Sequence, residues 1–146
     1  MTNKIRIAID PGVGGAMAVQ YPDGKIVATA FDCEATMRDE LETVLAYDDT
    51  CEVHAVLERV RSMPAQGVKS MFTFGQNYGY WRGVLQGLRI PFHEVLPREW
   101  QRGLLISGKL KGAERKKALQ QIAKERFPHL KVTLKTADAL LMLNEA

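Results

Sequence analysis

The first thirty residues leave this chain little choice of fold. Lys4-Ile5-Arg6-Ile7-Ala8-Ile9 sets isoleucines at alternate positions, the period of a strand. Asp10-Pro11-Gly12-Val13-Gly14-Gly15 interrupts it with a turn almost free of side chains, and Ala16-Met17-Ala18-Val19 resumes as a second strand. Pro22-Asp23-Gly24 is a hairpin signal, and Lys25 to Phe31 reads as a third strand. The result is a three-stranded antiparallel meander with a carboxylate, Asp10, at the tip of its first strand.

Helical periods follow. Met37, Leu41, Val44 and Leu45 share one face of a helix over 36–47, with Thr36 and Asp39 spaced as a capping box. Val53 to Leu57 is a buried strand ending at Glu58. Reached through a helix, it should lie parallel to the first strand. A polar loop runs from Arg59 to Gly67, a long helix from Val68 to Leu88, and a fifth strand from Phe92 to Val95. Phe72 and Phe74 are expected to pack along the long helix. Pro97 opens a short helix. A basic helix covers 113–126, with Ala118, Leu119, Ile122 and Ala123 on its apolar face, and a last helix starts near Thr136. The order β-β-β-α-β-α-β-α-α describes an α/β fold, a mixed five-stranded sheet with helices on both faces.

At 146 residues, 46% hydrophobic and 25% charged, the chain has the length and composition of one globular domain over 1–146. Cys33 and Cys51 lack the spacing of a zinc site and read as free thiols in a reducing compartment. No apolar run is long enough to span a bilayer, and the N-terminus reads as a strand and not a signal peptide. The expected location is the cytoplasm of a bacterial or phage-infected cell. His54, His93 and His129 lie scattered along the sequence and read as structural residues. Net charge is +3, but residues 1–58 carry 4 Lys/Arg against 11 Asp/Glu and residues 59–146 carry 16 against 6. A basic C-terminal half points to a polyanionic partner, against the blander reading of a solvated surface.

Three carboxylates stand at element ends. Asp10 and Glu58 emerge at the same sheet edge if their strands are parallel neighbours. Asp138 falls in the first turn of the last helix, after Thr136 as N-cap, where the helix dipole favours its charge. Taken singly, Asp10 could be a turn former, Glu58 a partner of Arg59 or Arg61, and Asp138 a helix-start charge. Taken together, three acids without His or Cys suit a hard cation, Mg²⁺ or Mn²⁺, and disfavour zinc.

Ile9-Asp10-Pro11-Gly12 with Gly15-Ala16, then Leu57-Glu58, then Ala137-Asp138-Ala139-Leu140, resemble the RuvC-like Holliday-junction resolvases of the ribonuclease-H-like superfamily, and the compact bacteriophage-like type in particular. The resemblance spans nearly the whole chain. It implies an Mg²⁺-dependent endonuclease, a crossover junction endodeoxyribonuclease acting as a homodimer on four-way DNA. It implies Asp10, Glu58 and Asp138 as catalytic metal ligands. The implied reaction is metal-assisted phosphodiester hydrolysis leaving 5′-phosphate and 3′-hydroxyl ends. The family's further acid, one helical turn before the final Asp, is Lys135 here, which leaves the ligand set one carboxylate short.

For DNA contact, Lys109, Lys111, Arg115, Lys116 and Lys117 cluster around two glycines, a pattern suited to tracking phosphates. Arg59, Arg61 and Lys69 flank the loop after Glu58, Lys135 could meet a phosphate, and Met63 is a candidate wedge between bases. Gly75, Gly79, Gly83 and Gly87 recur every fourth residue of the long helix, each costing about 1 kcal/mol relative to alanine. Such a stripe calls for a close backbone contact, to the sheet or to a second subunit, and Gly75, Gly79 and Gly83 are the expected dimer interface. Two other readings stand beside the nuclease. One is a non-catalytic junction binder with a decayed metal site. The other, an actin- or Hsp70-like nucleotide-binding protein, would need a second domain of the same fold.

Overall fold

The alternating isoleucines do form the centre of a sheet. The computed structural model describes residues 3–60 and 67–146. Strands β1 (Lys4–Asp10), β2 (Ala16–Gln20), β3 (Ile26–Ala30), β4 (Glu52–Glu58) and β5 (Phe92–Val95) form one sheet in the order β3-β2-β1-β4-β5. β1–β2 and β2–β3 are antiparallel, whereas β1–β4 and β4–β5 are parallel. Ile5, Ile7, Ala8 and Ile9 are all fully buried. A strand buried on both faces reads as a continuous apolar run, and that run marks β1 as central.

The two faces are covered by different helices. Ile5, Ile7 and Ile9 pack with Met37 and Leu41 of α1 (Glu34–Leu45) and Trp81 and Leu85 of α2 (Val68–Gly87). Ala8, Ala16, Ala18 and Val56 pack with Leu119 and Ala123 of α4 (Gly112–Arg126) and with α5 (Ala137–Met142). The alanines on this face leave room for α5 to lie close over β1 and β2, and so they bring Asp138 down to the sheet. The short α3 (Pro97–Trp100) follows β5, and a single 3₁₀ turn (Leu143–Glu145) follows α5. No helix among the described residues is long and apolar enough to cross a membrane.

Some details differ from the sequence reading. α1 begins at Glu34, because the Thr36 hydroxyl is turned back to Asp32 and makes no cap. Thr36 and Asp39 therefore form no capping box. Thr136 does stand at the N-cap of α5, but its hydroxyl accepts from the Thr133 amide instead of capping the helix. Phe72 does not pack; it is 68% exposed. The buried residues of α2 are Asn77, Trp81 and Leu85, and Phe72 points about 140° away from that line at 3.6 residues per turn. Phe74, three residues before Asn77, does turn inward. Both cysteines are free thiols. His54 and His93, distant in sequence, stack on each other.

Candidate active site

Parallel pairing of β1 with β4 sets Ile9 beside Leu57, so Asp10 and Glu58 leave the sheet at the same edge. Packing of α5 over β1 and β2 delivers Asp138 to the same place. Asp10 and Asp138 are each 7% exposed, and Glu58 is half-buried. The three acids thus meet where their element ends predicted. A fourth residue joins them from α4. The Lys116 ammonium donates to Asp138 Oδ2 at 2.9 Å and lies 4.0 Å from Asp10 Oδ2.

The turn after Asp10 is shaped by its glycines. A Cβ on Gly15 would sit 1.9 Å from the Asp10 carbonyl oxygen, so no other residue fits without moving the strand end. Gly12 has φ +107°, a backbone state that glycine adopts freely, and a Cβ there would also strike the Phe74 ring at 2.8 Å. The Gly12 amide donates to the buried Asn77 Oδ1 at 2.6 Å, which ties the turn to α2. Glu58 has its own anchor, accepting a hydrogen bond from the indole N–H of buried Trp100.

Crowding three acids with one lysine shifts their protonation. Burial, then the charges of Asp138 and Glu58, hold the Asp10 carboxyl well above the usual carboxylate range, against the pull of Lys116. Burial raises Glu58 to about 7; the Trp100 bond opposes the rise, Asp138 adds to it, and Lys116 opposes it. Desolvation alone would lower the Lys116 ammonium, but the charges of Asp138 and Asp10 outweigh it and raise it. Asp138 Oδ1 is buried with no hydrogen-bond partner among the described residues. The cluster is short of positive charge and holds an oxygen with nothing to bind. An all-oxygen donor set in that condition fits a hard divalent cation. Among the described residues, however, no three His, Cys, Asp or Glu side chains are placed so that they could hold a metal ion together. Lys116 occupies part of the space between two of the acids.

The residues expected on a DNA-binding face divide. Arg59, Lys69, Lys109, Lys111 and Lys117 are exposed. Arg115 is half-buried, its guanidinium held by Gln101 and the Ser107 carbonyl, so it braces the 101–115 loop. Lys116 belongs with the acids. Its sequence signal was only its place in a basic run, which does not distinguish it from its neighbours. Lys135 is exposed, and no ion pair joins it to the three acids. Arg61 and Met63 lie outside the described residues. Glu58 forms no ion pair with Arg59. Trp100 was not foreseen either, since nothing in the sequence links it to a residue 42 positions away.

The glycine stripe resolves one alternative. At Gly75, Gly79, Gly83 and Gly87 an added Cβ would meet nothing within 4 Å. Among the described residues the stripe therefore has no intramolecular contact of the kind that would offset its cost, and its face of α2 is exposed.

No family model matches the chain, and no curated protein matches it. Similarity appears at the level of structure. Thermus thermophilus RuvC superposes with a TM-score of 0.59 at 14% identity, over 95% of this chain and 90% of that one. T. thermophilus RuvC in complex with Holliday junction substrate gives 0.59 at 13% identity, over 96% and 90%. At such identities the likeness is one of architecture, and the mixed five-stranded sheet with its covering helices is a RuvC-like, ribonuclease-H-like fold.

Proposed function

We propose that this chain is a divalent-metal-dependent endonuclease that resolves four-way DNA junctions as a homodimer. The observation that carries the reading is the convergence of Asp10, Glu58 and Asp138 at one sheet edge of a RuvC-like fold. A junction substrate is named for one of the similar structures, and the exposed Arg59, Lys69, Lys109, Lys111 and Lys117 offer phosphate contacts here.

Asp10, Glu58 and Asp138 would hold the cation, Mg²⁺ or Mn²⁺ in its place. When bound, such an ion neutralises phosphate charge and supplies an activated nucleophile. The other roles belong to the chain itself. Trp100 fixes the orientation of Glu58 through its N–H. Asn77 and the glycines hold the Asp10 turn slim enough for a phosphate backbone to approach. Lys116 balances the acids, and a bound cation would compete with it for Asp138 Oδ2. The uncompensated glycine face of α2, Gly75, Gly79 and Gly83, is the surface proposed for a second subunit, which would present two centres to two symmetric strands. The products would be 5′-phosphate and 3′-hydroxyl ends.

The Lys116 ion pair also supports a second reading, a junction binder whose lysine permanently takes the ion's place. A synthetic four-way junction separates the two. Wild type should cut it in Mg²⁺ or Mn²⁺, leave a linear duplex intact, and lose cutting with Asp10→Asn. Binding without cutting in either metal would leave only the second reading, and full activity of Asp10→Asn would refute the assigned site.

A further inference from the structure

The other end of β4, with the neighbouring β5, carries a second cluster of metal-ligating side chains. His54 lies on β4, four residues before Glu58 and so about 13 Å from it along the strand. His93 lies on β5, which pairs with β4 through Val56 and His93. His93 therefore stands one pleat along from His54 on the same face of the sheet. The two rings stack with 26° between their planes and 5.0 Å between centroids. His54 Nε2 and His93 Nδ1 face each other at 3.5 Å.

That spacing is the one a chelated ion needs. Two imidazole nitrogens on one tetrahedral Zn²⁺, each bond about 2.0–2.1 Å, stand about 3.3–3.4 Å apart. In the metal-free pair one nitrogen must donate and the other accept, and an ion would replace that shared proton with little movement of either strand. We propose that His54 and His93 form a chelating site for a borderline transition-metal ion such as Zn²⁺, distinct from the carboxylate centre.

The surroundings permit entry. His93 is exposed and lines an open depression with Glu99 and Glu145, whose carboxylates favour a cation, and with Arg102, which opposes one. Water completes the coordination that two side chains leave open. Burial, then the neighbouring His93 and Lys4, hold His54 below the ordinary histidine range, so it is neutral and ready to ligate near pH 7. Neutral imidazoles and hard carboxylates select different ions, so the chain would sort a Zn²⁺-type ion to one end of β4 and a Mg²⁺-type ion to the other.

The test is calorimetric titration of the full chain with Zn²⁺. Wild type should bind one ion at this site. His93→Ala, a change at an exposed position, should weaken that binding about tenfold or more. Asp138→Asn and Cys51→Ser should leave it unchanged, the latter because Cys51 lines a neighbouring groove with His54. In nitrogen-detected imidazole spectra, Zn²⁺ should shift His54 and His93 but not His129. The proposal is overturned if wild type takes up no Zn²⁺, if His93→Ala binds as tightly as wild type, or if Asp138→Asn abolishes binding. None of these outcomes depends on nuclease activity.

Discussion

Replacing Glu58 by glutamine should make the metal-free protein more stable at alkaline pH. The Glu58 carboxyl rises from 4.5 to about 7 on folding, so the native state holds its proton more tightly than the unfolded chain does. Its contribution is fully favourable below the unfolded value and is lost as pH climbs through about 7. A shift of roughly 2.5 units corresponds to about 3 kcal/mol of cost by pH 8. Glutamine keeps the shape, and its carbonyl oxygen can still accept from Trp100. It carries no charge to desolvate. At roughly 2–4 °C per kcal/mol for a chain of this size, Glu58→Gln should melt roughly 6–12 °C above wild type at pH 8. The two should melt together at pH 4. Thermal unfolding followed by circular dichroism in EDTA measures both. Mg²⁺ at pH 8 should raise wild type and narrow the gap, because a bound cation favours the ionised acid. A Glu58→Gln advantage that does not vary between pH 4 and 8, or a variant less stable than wild type at pH 8, would refute the desolvation account.

Other expectations follow from the same geometry. Gly15→Ala drives a methyl to within 1.9 Å of the Asp10 carbonyl and should cost at least about 1–3 kcal/mol in urea unfolding, with junction cleavage falling further than stability because the Asp10 strand end must shift. Lys116→Met leaves Asp138 and Asp10 without their ammonium. The lysine is 43% exposed, so the loss should be about 1–2 kcal/mol at pH 8, below that of a fully buried pair, and Mg²⁺ should recover it. Gly79→Leu fills a face with nothing among the described residues within 4 Å in one subunit and removes a helix glycine, so it should raise the melting of a monomer by roughly 2–4 °C, the effect of about 1 kcal/mol, while light scattering shows a homodimer dissociating. Retention of the dimer in Gly79→Leu would move the interface elsewhere.

Much of the fold was legible because it rests on local patterns. The isoleucine alternation, the Pro22-Asp23-Gly24 hairpin and the apolar periods of α1 and α4 each express a short-range rule, and each element appeared close to its expected place. Departures came where one side chain chose between partners. Thr36 could cap α1 or bond Asp32, and it bonds Asp32. Phe72 is apolar enough to pack, but the phase of α2, set by Asn77, Trp81 and Leu85, turns it outward. Lys116 and Lys117 are equivalent in a basic run. One residue of helical rotation sends the first into the acids and leaves the second in solvent.

The sequence by itself determined that Asp10 ends a strand at a glycine-rich turn almost free of side chains. It also determined that Glu58 and Asp138 stand at element ends, because strand period, turn chemistry and helix starts are written within a few residues. Only the tertiary structure decided what surrounds them. Lys116 is 22 residues from Asp138, Trp100 is 42 from Glu58, and His93 is 39 from His54. Contacts at such separations depend on strand register and helix rotation, which the whole core sets together. The charge balance of the carboxylates and the pairing of the two imidazoles therefore appear only once the sheet has closed.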